Sequence, residues 1–390
     1  MMPGTFTLHH RHANTEHIFG VFSTGNGHDF RYPQGFSSSY WPGTRRYQAR
    51  GMNRTPIVIT ETLSTPQHRE AAPVMVRIMR GIFAALPLTS AESSPWDIWD
   101  AVNRARMHAV NVSHQQPVLY VGPSCLRLNG IHGWVTNPRI TIYRPSRRCT
   151  SHLPSCTVGT TTVPGTVVSC SSIPPITSDR ERINGLETEH PFDALIRCAL
   201  QEDPLEAFTL GCMALHKWSH FSMFDQPVCR EQAEQIRSQL LERLTHATTR
   251  RGLQRARAIL RTIDPGCENP AEAALLWLVR SLCPFPVHTQ VRIDVRGRHY
   301  FADIVIRDLR IIIEFDGIGK MGETRSGLMQ AKRDWIRRDQ DLRDAGWNVI
   351  RVSWPDYADW DSLRLRLIRT IGHTGASPEF RILWSPPAAR

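Results

Sequence analysis

An α/β fold is predicted for this 390-residue chain. After Asp264 the hydrophobic periodicity runs in the order α-β-β-β-α-β, the pattern of a mixed sheet with flanking helices. Before it, residues 191–263 carry four successive helical patterns, and residues 117–176 carry β-branched runs punctuated by Ser, Gly and Pro. The length allows two or three domains.

The elements follow in chain order. Residues 1–51 are rich in His, Gly, Ser, Pro and Arg with little apolar periodicity, and disorder is expected there. A more regular pattern begins at Met52, a candidate native start that the mass of the native protein would test. Residues 52–190 read as an α+β region. Within it VMVRIMRGIFAAL (74–86) alternates as a strand pair about Gly81, and residues 96–110 place Ile98, Ala101, Val102, Ala105 and Ala109 at helical spacing. Strands are expected at 117–121 and 139–143, then strands and turns over 144–176.

Residues 191–263 form a helical region. PFDALIRCALQ and DPLEAFTLGCMALHK are divided by Asp203-Pro204, a stop and restart signal. Two more helices follow over 230–247 and 249–263, the last with a stripe of Leu253, Ala256, Ile259, Leu260 and Ile263. Its Arg250, Arg251, Arg255, Arg257 and Arg261 make a solvated or phosphate-contacting face. Asp264-Pro265-Gly266 is read as the boundary of a last domain, 264–390. There AEAALLWLVRSL is apolar almost all round and must be buried on several sides. Strands are predicted over 287–295, 300–307, 310–316 and 347–354. Between the last two comes a helix over 328–345, with Leu328, Trp335 and Leu342 as its buried stripe, and a final helix starts near Asp359.

Composition narrows the function classes. Lys and Arg number 47 against 36 Asp and Glu, a net charge of +11. From Asp264 onward the balance is about 19 basic to about 17 acidic residues, so most of the surplus lies earlier. Such a surplus suits a nucleic-acid partner. Apolar stretches are far too short to cross a bilayer, and the start lacks the form of a signal peptide, so a cytoplasmic protein with no membrane partner is expected. Nine cysteines without a CxxC pair argue against zinc and for free thiols.

The chemistry concentrates in DIVIRDLRIIIEFDGIGK (303–320). Asp303 opens one apolar run, and Glu314 and Asp316 close the next. Alternation puts Glu314 and Asp316 on one face, while Ile311, Ile313 and Phe315 enter a core. A hairpin near Asp308 brings Asp303 across from them. Crowded carboxylates are costly unless a divalent cation sits among them, so Asp303, Glu314 and Asp316 form a candidate metal site. Glu272 is a fourth acid on the apolar helix. Lys320 and Lys332 are candidate cations for orienting water or holding phosphate.

These motifs carry a resemblance. NPAE (269–272), the strand with Gln290, ADIVI (302–306), IIIEFDGIGK (311–320), AKRD (331–334), RRDQDLRDAGW (337–347) and VIRVSW (349–354) stand in the order of the very-short-patch-repair-like endonuclease domain. That domain belongs to the P-D-(D/E)-x-K restriction-endonuclease superfamily. The resemblance implies a restriction-endonuclease-like mixed sheet and Mg²⁺- or Mn²⁺-dependent hydrolysis of DNA phosphodiesters. It makes Asp303 and Glu314 the metal-binding acids, Glu272 the helix acid and Gln290 an accessory residue. One position departs: the superfamily keeps a lysine two residues after the second acid, and Asp316 stands there. The role would pass to Lys320 or Lys332, or be lost.

More diffusely, VRIMRGIF, VSH (112–114), RITIYRPSRR and ITSDRERI resemble the winged-helix antitoxins of abortive-infection systems. This implies DNA binding through a wing bearing Arg77 and Arg80, and a cognate toxin as partner. Arg45, Arg46, Arg50 and Arg54 form a further basic run. Ser113 and His114, taken as strand neighbours pointing to opposite faces, are not a catalytic dyad. Two readings result: a metal-dependent endonuclease with an N-terminal DNA-binding region, or a non-catalytic DNA-binding regulator or antitoxin retaining a silent nuclease fold. RNA is the other substrate class.

Overall fold

The structure is a computed structural model. It describes residues 74–86, 94–114, 117–145, 150–317, 333–372, 375–376 and 380, with backbone alone for 45–46, 57–60 and 325–332. Lys320, the side chain of Lys332 and most of the 1–51 stretch lie outside the described residues.

The chain forms a mixed α/β structure. Two strands, β1 (Arg45–Arg46) and β2 (Ile57–Thr60), join β3 (Val74–Met79) and β4 (Ile82–Leu86) in a sheet of order β1-β2-β4-β3. The predicted strand pair is present: β3 and β4 are antiparallel, and Gly81 turns between them at φ +77°. Helix α1 (Pro95–Ser113) follows, started by a capping box in which Ser94 and Asp97 satisfy each other's backbone N–H. Its predicted stripe is buried throughout and packs against β3 and β4.

The next sheet has six strands in the order β11-β12-β5-β6-β10-β7. They are β5 (Leu119–Tyr120), β6 (Ile140–Tyr143), β7 (Thr150–Leu153), β10 (Thr166–Ser171), β11 (Arg180–Ile183) and β12 (Leu186–Glu189). Short helix α2 (Pro123–Leu128) lies between β5 and β6, and β8 (Cys156–Val158) pairs with β9 (Thr161–Val163) as a separate ribbon. Cys170, on β10 beside its partner β7, is disulfide-bonded. This corrects the expectation of free thiols alone. Cys125, Cys156, Cys198, Cys212, Cys229, Cys267 and Cys283 are free and buried.

Four helices follow as predicted: α3 (Pro191–Gln201), α4 (Pro204–Trp218), α5 (Gln226–Leu244) and α6 (Leu253–Thr262). Asp203 caps α4 through the Leu205 N–H at 2.9 Å, with Pro204 at the first helical position. Then come α7 (Pro270–Leu282), β13 (His288–Val295), β14 (Arg298–Ile306), β15 (Ile311–Asp316), α8 (Arg325–Asp344), β16 (Asn348–Ser353), α9 (Trp354–Tyr357) and α10 (Trp360–Ile371).

The last sheet has the order β13-β14-β15-β16; its first three strands are antiparallel neighbours and β16 is parallel to β15. A parallel pair needs a crossover, and α8 provides it. One face of this sheet, with Ile304, Ile306, Ile311, Ile313 and Phe315, packs with α7. On the other, Val305, Ile312 and Val349 meet Leu342 of α8. Of the stripe predicted on α8, Leu342 is buried, but Trp335 is 45% exposed.

The core that contains α7 runs without a break from Cys125 and α3–α6 to Phe380. Residues on both sides of the Asp264-Pro265-Gly266 turn contribute to this core. Asp264 is held there by Arg280 at 2.8 Å and by the Thr289 hydroxyl at 2.6 Å.

Candidate active site: a carboxylate pair across two strands

The site sits where β13, β14 and β15 meet. Register pairs Ile306↔Ile311, Val305↔Ile312 and Ile304↔Ile313 bring the next residues, Asp303 and Glu314, opposite one another at the end of the ladder. Side chains opposite each other on antiparallel strands share a face. Asp303 is tied to the neighbouring strand, since its Oδ2 accepts from the Phe315 N–H at 3.0 Å. Its Oδ1 faces Gln290 Nε2 at 3.4 Å.

Gln290 sits in a kink. The ladder pairs Thr289↔Ile304 and Val291↔Ala302, and Gln290 between them adopts φ +48°. For an L-residue with a long side chain the left-handed region costs about 1–2 kcal/mol. The kink is held from α5: Gln226 Nε2 donates to the Gln290 carbonyl at 2.5 Å and Arg230 Nη2 to the Thr289 carbonyl at 2.8 Å. Strain of this kind gathers at functional sites.

Glu314 is buried and meets two guanidiniums. Arg338 of α8 contacts its Oε1, and Arg351 of β16 reaches its Oε2 at 2.8 Å. Burial still raises the Glu314 pKa; Arg338 and Arg351 offset this only in part, and Asp303 and Asp316 add to it as like charges. Arg351 also meets Asp316 at 3.0 Å, so a guanidinium lies between the two acids of β15. No group of three His, Cys, Asp or Glu side chains among the described residues is arranged to hold a metal ion. Of the expected trio, Asp303 and Glu314 face each other across β14 and β15, and Asp316 is drawn to Arg351.

Glu272 serves the start of α7. Its carboxylate accepts from the Glu268 N–H at 2.8 Å and from Asn269 Nδ2 at 2.6 Å, while the Asn269 side chain caps the Glu272 N–H at 3.0 Å. Glu272 and Asp303 both act on buried Tyr357, whose pKa burial pushes well up. The oxygens of the helix acid are engaged at the start of its own helix. Lys332 is on α8, one turn before Trp335.

Sequence reasoning missed both arginines. The signal for Arg351 was present: one cation inside the apolar strand NVIRVS, directly paired with Glu314. It rejected Ser113 and His114 for a strand geometry they do not have. They end α1, and the Ser113 hydroxyl and His114 ring are both held at the Val110 carbonyl, at 2.8 and 2.7 Å.

In donor chemistry, two facing carboxylates are the oxygen type that a hard divalent cation takes as ligands. Asp303, Glu314 and Asp316 also outnumber the two guanidiniums beside them. Among the described residues no helix is long and apolar enough to cross a membrane. Comparisons with known protein families, with curated proteins and with solved structures return no match for this chain.

Proposed function

We propose that this chain is a divalent-cation-dependent endonuclease that hydrolyses phosphodiester bonds in DNA. The observation that carries the reading is the facing pair Asp303 and Glu314 beside the strained Gln290. A bound Mg²⁺ or Mn²⁺ would neutralise phosphate charge and lower the pKa of a bound water. The chain's own residues position the acids. The Phe315 N–H fixes Asp303, β15 fixes Glu314, and the kink at Gln290 turns its side chain toward Asp303. The order of motifs from Asn269 to Trp354, similar to the very-short-patch-repair-like endonucleases, supports the same chemistry.

The N-terminal region supplies DNA affinity in this reading. Its β3–β4 hairpin carries Arg77 and Arg80, which line a groove of about 500 Å³ with Met75 and Thr157. The winged-helix resemblance assigns such a wing to the phosphate backbone.

A second reading has its own support. Both oxygens of Glu314 are occupied by arginines and Asp316 stands where a lysine is expected. That suits a DNA-binding regulator, or an antitoxin with a toxin partner, whose nuclease fold is silent. Cleavage assays with Mg²⁺ or Mn²⁺ on single- and double-stranded DNA and RNA distinguish the two. Cleavage by wild type, abolished by Asp303→Ala and by Glu314→Ala, is the expected result. No cleavage of any substrate would overturn the enzyme reading, and residual activity in the double variant would move the site elsewhere.

A further inference from the structure

We infer that Arg351 is a phosphate-binding residue of this site, delivered by β16 rather than by β15 or α8. The inference rests on the nuclease reading for its location, but its chemistry is phosphate recognition and does not require cleavage.

Four observations place it. Register pairs Arg351 directly with Glu314, so its side chain emerges beside the acid pair. Its Nη1 lies 2.8 Å from Glu314 Oε2 and 3.0 Å from Asp316 Oδ1. Its guanidinium lies over the Trp335 ring at 4.6 Å, which fixes the plane of the fork. This explains why Trp335 stays partly exposed on α8: its face supports a cation instead of filling a core. Lastly, Nε and Nη2 are buried and have no hydrogen-bond acceptor among the described residues, and Nε lies 3.6 Å from Asp339 Oδ1.

Unfilled buried guanidinium donors are costly, and an ordered water, an ion or a ligand oxygen can fill them. A planar guanidinium fork suits bidentate contact with a tetrahedral oxyanion, even with Glu314, Asp316 and Asp339 around it. A phosphate of the nucleic-acid backbone is the group this proposed site would present. On its arrival Arg351 exchanges part of its hold on Glu314 for phosphate oxygens, and Asp316 keeps the guanidinium in place. Arg338 is less suited, because it also donates to the Phe301 carbonyl at 2.5 Å.

The test is binding of a labelled DNA duplex by the full chain in EDTA, over a salt series. Each phosphate contact contributes about 0.9 to the slope of log affinity against log salt. Arg351→Gln is expected to lower that slope by about 0.9 and affinity at moderate salt roughly tenfold. Arg351→Lys should keep the slope. Arg310→Gln, which removes a charge at the far end of β15, should leave it unchanged. If Arg351→Gln unfolds, the double variant Glu314→Gln/Arg351→Gln, which removes both charges, should show the same fall. An unchanged slope in the glutamine variants, or Arg351→Lys behaving like Arg351→Gln, overturns the inference, as does a wild type that binds no duplex. A reduced slope in a protein that never cleaves overturns only the nuclease reading. Wild-type cleavage with an Arg351-independent slope overturns only this one.

Discussion

Two arginine–glutamate pairs in this chain, each with a buried acid, look alike in composition and differ in completeness. Arg197 and Glu189 make the first. Arg197 Nε and Nη2 reach Glu189 at 2.9 and 2.7 Å, and Nη1 donates to the Ile173 carbonyl at 2.9 Å. The Gly122 N–H at 2.7 Å adds a further donor to Glu189. The donors of this fork are filled, and the pair ties α3 to the six-stranded sheet. The second is Arg351 and Glu314, where Nε and Nη2 have no acceptor and burial raises the acid's pKa. A filled buried pair holds structure, whereas an unfilled one keeps binding capacity in reserve.

The largest expected effect breaks the first pair. Glu189→Ala leaves an uncompensated guanidinium and should cost about 3–5 kcal/mol in denaturant unfolding. Glu314→Gln should change stability by about 1 kcal/mol or less, because it removes a charge that burial already disfavours. Equal costs at the two positions would erase the distinction.

A third buried acid sharpens it through pH. The Glu206 Oε2 accepts from the Val135 N–H at 2.8 Å, and the side chain occupies the space a Cβ at Gly133 would need. Burial pushes its pKa up to about 7, against the pull of the Val135 N–H and Arg127. The folded state then binds the proton more tightly than the unfolded state. Stability is present below the unfolded carboxylate value and is lost as pH rises through about 7. The loss is about 3 kcal/mol. Glu206→Gln should flatten the unfolding-versus-pH profile over that range, leaving the smaller, same-signed contribution of Glu314.

The smallest effect is at the kink. Gln290→Gly relieves a left-handed residue but loses the amide facing Asp303. Stability should move by about 1 kcal/mol or less. Cleavage under Mg²⁺ should fall more than stability does, and a variant with wild-type rates would show that the kink only shapes β13.

Much of the fold was legible in residue patterns. The period-2 and period-3.6 runs placed β3, β4, α1, all four helices of 191–263 and every element from α7 to α10 except the short α9, because burial of one face imposes a short-range pattern. The acid pair was legible for the same reason: Asp303 and Glu314 end apolar runs joined by a short turn. Longer-range contacts left no such pattern. Nothing in the residues around the Asp264 turn indicates that Arg280 and Thr289 hold its side chain. Trp335 looked like a core residue by spacing, yet it supports Arg351.

The sequence by itself determined the elements, their order and the two carboxylates that face each other, since neighbouring residues on a strand pair are fixed by alternation and a tight turn. Only the tertiary structure decided which cation meets those carboxylates. Arg351 lies 37 residues after Glu314 and reaches it because a parallel pair must be closed by a helical crossover. Spacing along the chain carries no record of such a contact; hydrogen-bond register between β15 and β16 does.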